Sequence, residues 1–588
     1  MKAPLKILKA FFDWSFFALL SAILLFALLV VITNFQRLTD GIGYLAVLVT
    51  VCGIIALGFL LTRYLWRRHG GRQTFIIFGG FAVAVTFFYA EEDLRGWYAW
   101  QTFKHQVEAA GEKLDFASVV PPAVPDDQNF AMAPIVASSY AATLDTNGHL
   151  ISPQLTNVVS RLDMTIYRDS DWERQPTNGY WPKGTFTSLK EWQMYFSSPP
   201  TNSLTNEFPV PQKPQSAAAD VLFGLSKYDS DIEELRQASR LPQSRFPINY
   251  DTKLPFDELL PHLSSLKRCS QTLQLRALAE LELGQTDKAL DDIKLAMRLI
   301  DSTRSEPFLI SHLVRVAQFS ITLQPVYEGL AKHKWSAPQL VELETGLAKL
   351  NWLEDCQLAM RGERNLSLAT IDYLRRTRSN DEFFEMFDIF GAFPMVNKEE
   401  EHGAIEWNLL LSSTYYRLSP TGWFWMNKAL IGKLYQQWYL LVCDPEKHLA
   451  YASISNQAEQ RIDVELFPRR PSNMLAAMIL GSLTAGERKF AFAQCSADMA
   501  MIACALERYR LANGTYPDSL EKVCPQFLGE IPHDVINGQP LKYQRTDDGR
   551  FLLYSVGWNE IDDGGKVGFN QSGRYDIKTG DWVWEYPK

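Results

Sequence analysis

The sequence predicts a multi-domain, mainly α-helical protein. Transmembrane helices come first, then a large exterior helical domain (a bundle or irregular solenoid), then a small α+β domain at the C-terminus. Three observations carry that reading. Almost all the long apolar runs fall in the first ninety residues. From residue 254 to about 441 apolar residues recur at helical spacing. A helix then stops at Asn513-Gly514, short strands follow, and an acidic glycine-rich loop separates the late strands.

The chain has 588 residues, enough for several domains. Its formal net charge of −9 argues against a general nucleic-acid role and suits a soluble acidic surface. Residues 1–95 form the expected membrane domain, with apolar runs at 16–32, 43–66 and 75–90. A spanning helix needs roughly 20 apolar residues, so the third run is the shortest candidate. No small-residue cleavage site follows the first run, which therefore reads as an uncleaved anchor. Lys2, Lys6 and Lys9 precede the first run, and Arg63, Arg67, Arg68 and Arg72 lie between the second and third. The positive-inside rule places both clusters, and the N-terminus, on the cytoplasmic side of the inner membrane. The bulk after the third run is then extracytoplasmic. If the third run does not span, the bulk moves to the cytoplasm. Asp13 reads as interfacial.

Cys52 lies in the second run, and Cys269, Cys356, Cys443, Cys495, Cys504 and Cys524 lie in the exterior part. An oxidising space would permit pairing, and Cys504 with Cys524 is the pair to test; buried free thiols are the alternative. No CxxC is present, which argues against zinc.

Residues 96–250 read as a Pro-rich, mostly irregular segment packed on a larger body, with a short helix at 103–113 and a few strands. Pro121, Pro122 and Pro125 stiffen one stretch. Trp172, Tyr180, Trp181 and Trp192 argue for packing rather than disorder. Residues 251–470 form the helical domain. Leu273, Ala277, Leu278 and Leu281 share one helical face, Gly284 to Asp287 break the helix, and Ala289, Ile293, Ala296 and Met297 resume the stripe. With Gly284, Ala289, Ile293 and Ala296 in place, this stretch resembles one tetratricopeptide repeat, without clear copies one period away. Further helices are expected at 308–330, after Ser336-Ala-Pro338, and at 353–376. Residues 423–443 are aromatic but interrupted by Lys428 and Lys433, so they read as a helix buried in the bundle; an amphipathic face on the membrane is the alternative.

Residues 471–588 form the last domain. Residues 474–509 read as one long helix, or as two broken near Gly486. Tyr509, Gly514, Tyr516 and Pro517, then Pro532-His533-Asp534 and Asn537-Gly538-Gln539-Pro540, then Ser555, Gly557, Asn559, Asp562, Asp563, Gly564 and Gly565, resemble the globular head of the major pseudopilins of type II secretion systems. The likeness covers residues 491–588. It implies tight turns at 536–538 and 546–550, a strand at 551–556, and a calcium loop. Asn559, Asp562, Asp563 and Asp576 would be its side-chain ligands, with carbonyls completing the six to eight oxygens that calcium takes. The chain departs from the family in having Asn559 at an aspartate position and one extra loop residue. It also lacks the pilin processing site, so it is not expected to assemble as an ordinary pilin subunit.

No Gly-x-Ser-x-Gly, His-Glu-x-x-His, P-loop or GxGxxG occurs, and the histidines are scattered. Arg361, Glu363, Arg364, Asp291 and Asp292 are the acid/base candidates, and on expected helices they read first as solvated charges or ion pairs. The expected function is a membrane-anchored, extracytoplasmic binding or assembly protein with protein partners. The rival class is an enzyme with its site in the helical domain.

Overall fold

A computed structural model describes residues 42–140, 160–168, 175–198, 208–250, 260–378, 415–466, 470–480 and 486–587. The apolar run at 16–32 and Asp13 lie outside the described residues. The principal helices are α1 (Ile42–Ala109), α2 (Leu189–Ser197), α3 (Ala217–Leu225), α4 (Asp229–Ala238), α5 (Pro261–Glu282), α6 (Thr286–Ser302), α7 (Leu309–Ala331), α8 (Ala337–Leu347) and α9 (Trp352–Thr377). They continue with α10 (Thr421–Leu434), α11 (Ala452–Leu466), α12 (Met474–Leu480) and α13 (Gly486–Asn513). A two-residue ladder pairs β1 (Cys443–Asp444) with β2 (Leu449–Ala450). The C-terminal strands are β3 (Lys542–Arg545), β4 (Phe551–Ser555), β5 (Val567–Phe569), β6 (Tyr575–Gly580) and β7 (Trp582–Glu585). They make an antiparallel sheet in the order β3-β4-β7 and a separate β5-β6 hairpin.

The second and third apolar runs lie on one element, α1. Gly70 alone is non-helical there, at φ 75° and ψ 161°, a conformation that glycine enters without steric cost. The helix expected separately at 103–113 is the last part of α1. The arm Gly70–Ala109 is long and apolar enough to cross a membrane, and only 6% of its apolar window is buried. Phe75 and Phe87 are 81% and 73% exposed.

The far end of α1 crosses α10 with backbones in contact. A Cβ on Gly96 would lie 2.0 Å from the Gly422 oxygen, and one on Gly422 would lie 1.9 Å from the Glu92 oxygen. Polar contacts lock the crossing. The Tyr89 hydroxyl donates to the Leu418 carbonyl at 2.5 Å, Asp93 accepts from the Gly422 N–H at 2.7 Å, and the Trp423 indole donates to Glu92 at 2.8 Å. Lys428 of α10 is buried, ion-paired with Asp372 of α9, and its ammonium sits 4.1 Å from the centre of the Trp100 ring. Residues 423–443 are therefore a core element in three pieces: α10, a π-turn at Tyr435–Tyr439 and a short helix at Leu440–Val442.

In the segment 96–250 the described residues hold no strands, only isolated bridges such as Tyr180 to Thr185. Three helices, α2 to α4, take their place. Ser188 and Ser216 cap α2 and α3 by accepting from the Glu191 and Ala219 N–H groups, a local start signal stronger than the short apolar pattern. The loop before α2 is tied to α7. The Trp181 N–H donates to Gln324 at 2.6 Å, and the Thr187 N–H donates to Glu328 at 2.8 Å.

The expected break at Gly284 is present, at φ 76°, and α5 packs against α6. Ser336 and Gln339 form a reciprocal capping box at the start of α8, with Pro338 in the first turn. Helices α7, α8 and α9 surround α13, which is 94% buried over its apolar window. Strands β4, β6 and β7 also contact α13. Trp181 stacks on Phe492 of α13 at 5.8 Å between ring centres and meets Trp584 of β7 at 5.4 Å. One apolar core thus runs from Trp100 in α1 to Tyr586 near the C-terminus.

Placing valine at Gly422 forces the crossing apart. Overpacking of this kind costs roughly 1–3 kcal/mol or more. We expect Gly422→Val to lower the melting temperature of the purified protein. Gly79→Ala, at a glycine with nothing within 4 Å of its Cβ position, should leave it nearly unchanged. Equal melting temperatures for Gly422→Val and the parent would refute the close crossing.

Candidate functional site

The C-terminal motif residues come together around the end of α13. Gly514 stops the helix at φ 83°. The Tyr516 hydroxyl then turns back to donate to Glu507 at 2.6 Å, while Arg510 and His333 bind the same carboxylate at 2.7 and 2.9 Å. Burial opposes the Glu507 charge, but the hydrogen bonds from Arg510, His333 and Tyr516 outweigh it and hold the carboxyl below its ordinary value. The Tyr543 hydroxyl donates to the Pro517 carbonyl at 2.6 Å, fixing the Tyr-Pro turn against β3.

Both expected turns are present. Gly538 sits at φ 69° and its N–H donates to the Asp534 carbonyl at 2.8 Å; Gly549 sits at φ 80° inside a Thr546–Arg550 hairpin closed at 3.0 Å. Asp534, 2% exposed, staples the first turn to the end of β4. It accepts from the Ile536 N–H, the Ser555 hydroxyl and the Val556 N–H at 3.0, 2.8 and 3.1 Å.

The acidic loop lies between β4 and β5. Asn559 donates from its amide to Asp563 at 2.9 Å. Asp562 accepts from the Gly564 N–H at 3.1 Å and from the Tyr554 hydroxyl at 3.1 Å, with the Lys542 ammonium 3.6 Å away. The Gly564 N–H bond leads the contacts that hold the Asp562 carboxyl below its ordinary range. Asp576 stands on β6, where it accepts from the Lys578 N–H at 2.9 Å. Asn559, Asp562 and Asp563 therefore share one exposed loop, and Asp576 belongs to a different element. Among the described residues no three His, Cys, Asp or Glu side chains converge as a metal shell.

The group that shapes this loop is one that motif reading passed over. Asp581, fully buried, accepts from the N–H groups of Asp563, Gly565 and Lys566 at 3.2, 2.7 and 3.3 Å. The loop backbone turns donors inward around a carboxylate. The sequence signal for Asp581 is a lone carboxylate between Gly580 and Trp582, inside a run that is otherwise built for burial.

The acid/base candidates separate cleanly. Asp292 is 1% exposed and paired with Arg236 and Arg276 at 2.7 and 3.0 Å. Arg361 and Arg364 both bind Glu112 of the segment after α1, at 2.9 and 3.1 Å. Glu363 is neither solvated nor ion-paired. It is buried and, among the described residues, accepts only the Leu309 N–H at 3.0 Å, and burial pushes its carboxyl up to about 7. Glu487 at the start of α13 is likewise pushed to about 7 by burial, and its Oε1 meets no hydrogen-bond partner among the described residues. Both lie close enough to Tyr435, in the π-turn, to act on its hydroxyl.

A second interior seam joins α5, α7 and α9. His262 meets Glu306 at 2.9 Å, the His312 ring meets the Glu306 carbonyl at 2.8 Å, and Arg315 bonds His312 at 3.1 Å and pairs with Asp355. Burial, then the Arg315 charge, pushes His312 down to about 3, so this imidazole is neutral. Asp355 borders a cavity of about 460 Å³ lined also by Arg298, Asp301, Arg304 and Glu354. Neither Glu363 nor Glu487 lines it.

No family model matches the chain, and neither a curated protein nor a solved structure matches it.

The two buried glutamates set a pH dependence. Each has a folded-state value near 7 against an ordinary 4.5, so the folded chain holds protons that the unfolded chain releases. Stability from these groups is full below pH 4.5, falls as pH rises toward 7, and levels off above, by at most about 3 kcal/mol for each group. Melting curves from pH 5 to 8 should show that fall, and Glu363→Gln combined with Glu487→Gln should flatten it. Parallel profiles for parent and double variant would count against the assignment.

Proposed function

We propose that this chain is a membrane-anchored, extracytoplasmic binding or assembly protein. The observation that carries the reading is the arm Gly70–Ala109. Its apolar side chains face outward where a soluble helix would carry polar ones, and it continues without a linker into the crossing with α10. Arg63, Arg67, Arg68 and Arg72 cluster around Gly70, at the end of the arm away from the body, which supports a cytoplasmic position for that end. The likeness of residues 491–588 to pseudopilin heads directs the search for protein partners toward type II secretion or pilus-like machinery. Fold likeness alone does not fix such a role. Calcium is the proposed ligand of the exposed loop, on Asn559, Asp562 and Asp563, with Asp576 outside that group.

A second reading, an enzyme of the helical body, draws on the cavity beside Asp355. Its one buried acid is already neutralised by Arg315 and approached by Arg304 at 3.6 Å, the pattern of a structural ion pair. Binding is therefore the better-supported class.

Membrane pellets washed with alkaline carbonate should retain the full chain, and protease added to intact spheroplasts should digest its body. Release by carbonate would sink the anchor. For the loop, the full chain in detergent should melt higher in calcium than in chelator. Calcium at tenfold excess over its dissociation constant stabilises by about 1.4 kcal/mol. The shift should vanish in Asp562→Ala with Asp563→Ala, and an unchanged melt in calcium would remove the ligand assignment.

A further inference from the structure

We propose that Cys356 and Cys443 form an intramolecular disulfide that links α9 to β1. The inference rests on the extracytoplasmic placement proposed above and deepens it, because that space is where such a bond persists.

The geometry brings the two residues together from 87 positions apart in the chain. Helix α9 packs against β1, and the side chain next to Cys356 fixes the contact. Gln357 donates to the Leu440 carbonyl at 2.7 Å and to the Cys443 carbonyl at 2.6 Å. Both cysteines are 1% exposed and lie in the same apolar core. Both are free thiols in this structure, and after burial the neighbouring Cys443 is the group that most raises the Cys356 thiol. The pair expected from the sequence, Cys504 and Cys524, also stands as free thiols, Cys504 buried and Cys524 half-buried. Glu344, Arg508 and Glu507 are the charged groups around Cys504, and Glu530 is the one beside Cys524. Cys269 faces the Met164 sulfur at 3.8 Å. Burial explains why Cys356 and Cys443 meet: both side chains are small and apolar enough to fill the seam where the π-turn hands over to β1.

The chemistry is thiol–disulfide exchange with a disulfide-bearing oxidant of the extracytoplasmic space. One cysteine loses its proton and attacks the oxidant disulfide, releasing one oxidant thiolate and leaving a mixed disulfide. The second cysteine then attacks that mixed disulfide. The Cys356–Cys443 bond forms, the second oxidant thiolate leaves, and the two protons go to the reduced oxidant. Two thiols are oxidised and one disulfide is reduced. Burial pushes the Cys356 thiol well up, so the thiolate is scarce once the core has closed. Exchange therefore belongs to folding, before α9 and β1 are sealed together, and the finished bond is shielded from external reductant. It closes a loop over residues 357–442, and long loops gain most from such a constraint.

The test is peptide mass spectrometry of the full chain isolated in membranes. Thiols are trapped in acid, then alkylated in denaturant with no reduction, and trypsin is added. The expected result is a cross-linked species joining the peptide 350–361, which holds Cys356, to the peptide 434–447, which holds Cys443. Native protein treated with reductant should keep it, and reductant in denaturant should remove it. Spheroplast proteolysis of the same sample reports the side of the membrane independently. Both peptides alkylated, with the body digested from outside, would overturn the disulfide and leave the membrane reading intact. Both alkylated, with the body protected, would overturn the two together. A cross-link between Cys504 and Cys524 in place of this one would also refute it. Cys356→Ala combined with Cys443→Ala should lower the melting temperature relative to parent in non-reducing buffer, and reduction in denaturant followed by refolding in reductant should bring parent to the same value.

Discussion

Helix α13 is buried on nearly every side across its apolar window, and a helix of that kind needs neighbours all round. Three helices and three strands supply them, and the rest of the body is arranged by that demand. The few polar groups on α13 are matched one by one. Gln494 accepts the Trp352 N–H at 2.9 Å, Asp498 binds His448 at 2.8 Å, and Glu507 gathers three donors at the helix end. An unmatched polar atom in this setting costs far more than a matched one returns. Glu487 Oε1 and Arg488 Nε find no hydrogen-bond partner among the described residues, and burial pushes the Glu487 carboxyl up to about 7.

The same constraint explains why the C-terminal strands do not stand apart. A three-stranded sheet and a hairpin expose too much edge and too little core to be stable without cover. Here Trp181 of the preceding segment is wedged between Phe492 and Trp584, and the Tyr327 hydroxyl donates to the Glu585 carbonyl at 2.5 Å. Helical body and C-terminal strands share one interior, so α13 serves both as the spine of the head and as the innermost helix of the body.

Much of this was legible in the sequence because it is written in local code. Gly284 and Gly514 mark helix ends, Ser336 with Gln339 marks a start, and Asn537-Gly538 and Asp548-Gly549 mark turns; each acts within a few residues of itself. What was not legible depends on partners far away in the chain. Residues 96–250 read as irregular because their helices are short and take their meaning from α5, which lies further along the chain. Glu363 looked like a solvated helix charge because nothing beside it in sequence announces that Leu309 and the core close over it. The exposed loop residues Asn559, Asp562 and Asp563 stand out by motif, whereas Asp581, which holds the loop, is recognisable only once its three N–H donors are in place. Asp576, read as a fourth ligand, pairs with its own strand because β6 carries it away from the loop.

The crossing of Gly96 and Gly422 has a mechanical meaning. On the proposed reading that α1 is embedded up to Ala90, the contact point lies six residues further on, about 9 Å along the axis at 1.5 Å per residue. Two backbones touching that near the bilayer leave no tether on which the body could swing. On that reading the body is a fixed head on a short stalk, holding one height and one facing relative to the membrane plane. Whatever docks on it must then arrive from a set direction, and a partner held in the same membrane meets it already oriented, having lost most of its rotational freedom before the first contact.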